Sequence, residues 1–383
     1  MHSTDVTMDM LERDAQAVRG ALVLACDGLI DREMIAEVVV LCAVAGEHLL
    51  VIGAPGTAKS EAVRRVASQL GGRYFEYLLG RFTEPNEIFG PVDLRRLREG
   101  VVEVETAGML PEADVAFLDE VFLGSTAILN TLLGLLNERI FRRGSTIMNC
   151  PLRVCVGAAN TLPDDQTLAA FADRFLGRLF IEPVADARLE ELLEAGDSAW
   201  VQGEAGGSLL LAVDRLANAS RTVSMDGVRP LIGSAVRRLR GAGIAISDRR
   251  AVRAQRLVAA AAVLDARGIA SVADLWVLPL IAPTADTQQL AREALAELLD
   301  EARNATLACS AEELSRGVLA RAERLTQAGG ALLTHLSGGR LIEDARMRIE
   351  ATLREIDAGF AHVDMPAELR ETRQRLVQAL SSE

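Results

Sequence analysis

Apolar positions first organise in "LIDREMIAEVVVLCAVAGEHLLVIGAPGTAKSEAVRRVASQLGG" (29–72). The patterning predicts helix, strand, loop and helix in turn. Asp31 can cap the first helix, "HLLVIG" is a short buried strand, and Gly71 and Gly72 end the second helix. Two further apolar runs, "VAFLDE" (115–120) and "RVCVGAAN" (153–160), follow at spacings suited to helical crossovers. Strands and helices that alternate in this way predict a parallel sheet covered on both faces.

Two segments interrupt the alternation. The long insertion "EYLLGRFTEPNEIFGPVDLRRLREGVVEVETAGMLPEA" (76–113) separates the first two strands, and the polar turn "ERIFRRGSTIMNC" (138–150) precedes the third. Each is expected to project from the sheet as a hairpin or helix. After "FIEPVADARLEELLEAG" (180–196) the pattern is helical to the end, with "GEAGGS" (203–208) read as a loop. Apolar stripes at helical spacing run through Ala291, Leu295, Leu298 and Ala302, through Leu314, Val318, Ala322 and Leu325, and through Ile342, Ala345, Ile349, Leu353, Ile356 and Phe360. They are read as core faces of a helical bundle.

The chain has 383 residues, half of them hydrophobic, and only 4% aromatic. That length suits two or three domains, and the abundance of Ala and Leu favours helix. Asp and Glu outnumber Lys and Arg by 54 to 41, for a net charge of −13. Such a surface repels a phosphate backbone and argues against a nucleic-acid partner. The start "MHSTDVTMDMLERD" lacks the basic and apolar blocks of a signal peptide. No apolar run reaches the ~20 residues of a membrane span, so a cytoplasmic setting is expected. Five scattered cysteines form no C-x-x-C pair. Cys42 and Cys155, in apolar runs, are read as buried structural thiols.

The chemistry gathers at the strand ends. Gly53, Ala54, Pro55, Gly56, Thr57, Ala58, Lys59 and Ser60 differ from the phosphate-loop pattern G-x-x-x-x-G-K-[ST] only at Ala58, where the pattern has glycine. Between strand and helix, such a loop offers backbone N–H groups and a helix N-terminus to phosphate oxygens. Lys59 is placed to bridge the outer phosphates and Ser60 to put a hydroxyl on Mg²⁺. A positive φ at Ala58 would cost about 1 kcal/mol. In "VAFLDE", Asp119 is positioned to hold Mg²⁺ through its water shell and Glu120 to polarise the attacking water. Asn160 ends the third strand within reach of a γ-phosphate or lytic water. Arg174, in "FADRFLGR", could reach a neighbouring subunit's nucleotide, and Arg249 and Arg250 stand at a helix start from which a lid could contact phosphate.

The order of these segments, with "NTLLGLLNERIFRRG", "GAAN" and "DRF", resembles the MoxR family of AAA+ ATPases and within it the RavA-like branch. The resemblance runs from about residue 10 to about residue 285. It implies an AAA+ P-loop NTPase core over 1–185 with a helix-2 insert, an α-helical lid over 186–285 and a C-terminal helical domain over 286–383. It also implies that ATP and Mg²⁺ are bound and that Ala58 belongs to a working loop. Under it, Lys59 and Ser60 form Walker A, Asp119 and Glu120 Walker B, Asn160 sensor 1 and Arg174 the arginine finger, while sensor 2 is Arg249 or, in competition, Arg250. The insert and the turn around Arg142 to Ser145 would face the pore of a hexameric ring. The implied function is ATP-driven remodelling of a protein client, with a partner carrying a von Willebrand A domain. After the core the chain shows no β-rich stretch for the small extra domain of longer RavA proteins. A nucleotide-dependent assembly switch with little hydrolysis is the alternative, and a DNA-associated motor a third reading opposed by the net charge.

Overall fold

The structure, a computed structural model, describes residues 2–185, 188–197, 209–336, 343–360 and 365–381. Two helices, α1 (His2–Cys26) and α2 (Glu33–Ala45), lead into strand β1 (Leu49–Gly53), helix α3 (Lys59–Leu70) and strand β2 (Tyr74–Leu78). The expected helix, strand, loop and helix are present, and α3 ends at Gly71. One detail differs. Asp31 does not cap α2: the capping position is Arg32, without a side-chain cap, and Asp31 adopts a positive φ of 56° with its carboxylate on Arg188.

The insertion folds as α4 (Pro85–Phe89) and α5 (Leu94–Arg98), with Val92 and Val104 bridged antiparallel across the latter. Strand β3 (Val115–Asp119) and helix α6 (Thr126–Glu138) follow, then the hairpin β4 (Ile140–Arg143) and β5 (Thr146–Asn149). The insert rests on that hairpin. Ser145 donates its backbone N–H and its hydroxyl to the Val102 carbonyl, and Arg143 donates to the Gly90 carbonyl and the Asn86 side chain. Gly144 sits so close that a Cβ there would lie 2.5 Å from the Val102 oxygen.

With β6 (Val154–Ala159), α7 (Gln166–Ala172) and β7 (Gly177–Ile181), the sheet is complete: five parallel strands in the order β2-β3-β6-β1-β7. The inner strands are buried on both faces. Leu49, Val51, Phe117 and Val156 point into a core with α2 and α3, and Leu50, Ile52, Leu118 and Cys155 into a second with α6, Phe141 and Phe175. Burial pushes the Cys155 thiol up to about 12, as expected of an inert structural cysteine.

The rest is helical. α8 (Leu189–Asp197), α9 (Leu209–Ser220), α10 (Arg229–Gly241) and α11 (Asp248–Leu264) precede a 3₁₀ stretch at Val272–Ile281. Then come α12 (Ala285–Leu299), α13 (Ala308–Arg316), α14 (Val318–Leu336), α15 (Glu343–Gly359) and α16 (Ala367–Ser381). Helices α9 to α13 share the core on the α2 face, while α14 to α16 build a separate one around Leu325, Ile349, Ile356 and Phe360. Ala291, Leu295, Leu314, Ala322, Leu325, Ile349, Ile356 and Phe360 of the stripes are buried core positions as expected, with local differences elsewhere. Ala302 lies beyond the end of α12, and Gly317 divides the second stripe between α13 and α14. Ile342 and the 203–208 loop lie outside the described residues. Among the described residues no helix is long and apolar enough to cross a membrane.

Candidate nucleotide site

Parallel strands put their carboxyl ends along one edge of the sheet, where open α/β proteins bind ligands. Here that edge carries the loop 53–59 after β1, Asn160 after β6 and the Asp119–Glu120 pair at the end of β3. Because β6 lies between β1 and β3, Asn160 stands between the loop and the acids.

Gly56 and Ala58 both adopt left-handed backbone, with φ of 79° and 56°. Ala58 is the N-cap of α3 and offers no side-chain hydrogen bond, which leaves the first N–H groups of the helix without a capping acceptor. This uncapped terminus fits phosphate. Lys59 is buried, donating to the carbonyls of Gly53 (2.8 Å) and Ala54 (2.9 Å), and the Thr57 hydroxyl also donates to Ala54 (2.8 Å). Burial holds the Lys59 ammonium below its ordinary value, with Asp119 and Glu120 pulling the other way.

At the acid pair, the Asp119 carboxylate accepts the Glu120 backbone N–H at 3.0 Å, and Glu120 has a φ of 49°. The Asn160 amide donates to the Glu120 carboxylate at 2.6 Å. Asp119 and Ser60 supply the hard oxygens Mg²⁺ favours; two such ligands beside phosphate and water are a usual Mg²⁺ complement.

The three arginines lie elsewhere. Leu49 pairs with Gly177 and Gly53 with Ile181, so Arg174, three residues before β7, is at the end of the sheet opposite the loop. The intervening strand alone spans ~13 Å. Arg174 is half-buried with its Nε unbonded, and it forms no ion pair among the described residues. Exposed Arg249 donates to Asn137 (2.6 Å), near the end of α6. Two residues on, Arg139 bonds the carbonyls of Gly46 and Arg153, ahead of β1 and β6, so Arg249 shares the Arg174 end. Arg250 is a buried clamp, bonded to Asp173 and to the carbonyls of Phe175, Leu176 and Ile281.

Sequence reasoning missed Arg32. Only 4% exposed, it donates to the carbonyls of Thr57 (2.7 Å), Asp31 (2.6 Å) and Glu182 (3.1 Å). Its one signal is an arginine immediately before an apolar helix.

Residues 16–216, more than half of the chain, match the MoxR domain of the MoxR-vWA-beta-propeller ternary systems. The chain belongs to the MoxR family of AAA+ ATPases. Two uncharacterized proteins of Methanocaldococcus jannaschii are each 35% identical to this MoxR protein over 239 residues, 61% of this chain and 62% and 61% of theirs. The chain therefore spans about three fifths of these relatives. A structural protein of the Acidianus two-tailed virus is 33% identical over 149 residues, 37% of this chain and 24% of that one. The crystal structure of a candidate ATPase from Cytophaga hutchinsonii superposes with a TM-score of 0.62 at 16% identity, over 77% of this chain and 98% of that one. At that identity the likeness concerns the fold.

Proposed function

We propose that this MoxR protein hydrolyses ATP in a hexameric ring and couples turnover to remodelling a protein client. The observation that carries the reading is a site divided between the two ends of one sheet. Lys59, Asp119, Glu120 and Asn160 share one end; Arg174 and Arg249 share the other, out of reach of the loop in their own chain. A ring that sets one subunit's loop against the next subunit's arginines joins the halves.

In this reading the loop N–H groups and Lys59 bind the phosphates, and Glu120 takes a proton from the attacking water while Asn160 orients its carboxylate. Arg174 and Arg249 stabilise charge developing on the phosphoryl oxygens across the interface. Mg²⁺ held by Ser60 and Asp119 would neutralise phosphate charge. A von Willebrand A domain partner is supported by the ternary systems for which the matching domain is described. The RavA-like branch and the cytoplasmic setting rest on the sequence expectations alone. Glu120→Gln should bind a fluorescent ATP analogue as the wild type does and release no phosphate; wild-type turnover in that variant would contradict the assignment.

A further inference from the structure

The loop holds its shape although its last glycine is Ala58, in a left-handed conformation that costs an alanine about 1–2 kcal/mol. Lys59 and Thr57 brace the loop from within, and Arg32 is placed to brace it from outside. Its Nε reaches the carbonyl of Thr57, which belongs to the peptide unit that begins Ala58. In a trans peptide the C=O and N–H point in opposite directions, so fixing the Thr57 oxygen on Arg32 turns the Ala58 N–H away from it. The same guanidinium holds the carbonyls of Asp31 and Glu182, so the loop is tied to the lead of α2 and to the residue after β7. No carboxylate lies within ion-pair distance of it among the described residues, and although Asp31 and Glu33 offset part of its charge, a buried guanidinium stands beside the loop.

We infer that Arg32 is a positioning residue for the phosphate loop: it fixes the 57–58 peptide so that Ala58 serves where the pattern has glycine, and its charge favours a nucleoside triphosphate. This rests on the ATPase reading above. A lysine has one ammonium for three carbonyls and cannot reproduce the fork. Because bound phosphate itself holds the loop once in place, the loss should fall on binding rather than on saturated turnover.

The test measures mant-ATP affinity and steady-state kinetics for the wild type, Arg32→Lys, Ala58→Gly and the double variant, with thermal midpoints as folding controls. Arg32→Ala is avoided because it strands three carbonyls. Arg32→Lys should weaken binding roughly tenfold, the scale of a charged hydrogen bond, and raise KM with little change in kcat. In the Ala58→Gly background the same substitution should cost less than about threefold, because glycine adopts positive φ without strain. A folded Arg32→Lys that binds as the wild type does, or equal losses in both backgrounds, would overturn the inference. A wild type that binds no nucleotide would overturn the ATPase reading as well, which separates the two failures.

Discussion

The Asn160 amide donates to the Glu120 carboxylate at 2.6 Å, joining the ends of two strands that are neighbours in the sheet but 40 residues apart in the chain. The bond fixes the direction in which the proposed base faces. Asn160→Ala should lower kcat by roughly 10- to 100-fold with little change in KM, the scale of a misdirected general base. Asn160→Asp replaces the donor with a second carboxylate, and like charges raise the pKa of the pair. Its kcat should fall off at higher pH than the wild type's on the acid side, which a pH–rate profile reads directly.

Arg249 and Arg250 are adjacent in sequence and opposite in environment. Arg250→Met removes a buried clamp and strands the carbonyls of Phe175, Leu176 and Ile281. It should destabilise the fold by about 3–5 kcal/mol. Arg249→Ala, at an exposed position, should change stability by less than about 0.5 kcal/mol yet lower ATPase activity of the assembled protein. Thermal melts beside activity assays separate the roles; Arg249→Ala with full activity would remove it from the site.

Glu37, on α2, accepts the backbone N–H groups of Cys309 and Ser310 and so holds the start of α13. Burial pushes its carboxyl up to about 7, against those hydrogen bonds. A raised folded-state value means the native protein binds the proton more tightly, so this contribution is complete below the ordinary carboxylate range and is lost as pH rises through about 7. Buried His48, held well below its usual value, has the opposite dependence, so the comparison needs Glu37→Gln. Wild-type stability relative to that variant should rise by up to about 3 kcal/mol between pH 8 and pH 4.5, measured by denaturant titration.

The loop, its flanking elements and strands β3 and β6 were legible because each is a local signal: a short apolar run, then glycine and lysine, paired carboxylates or an asparagine. Strands β2 and β7 were not. The residues of β2 form a partly exposed edge strand and merge into the insertion, while "GRLFI" is too short an apolar run to distinguish strand from helix. Arg32 was invisible for another reason. Its role comes from carbonyls 25 and 150 residues away, which no local pattern encodes. Arg249 and Arg250 are likewise alike in sequence, since either fits a helix start, and differ in burial.

The most direct measurement is steady-state ATPase activity with Mg²⁺ against protein concentration for the wild type, Glu120→Gln and Arg174→Ala. A site shared between subunits predicts specific activity that climbs steeply with concentration, is absent in Glu120→Gln at every concentration, and is lost in Arg174→Ala. Mixing the two inactive variants should restore part of the activity, because some interfaces then pair an intact Glu120 with an intact Arg174. Specific activity independent of concentration, with Arg174→Ala as active as the wild type, would contradict a site built across two chains.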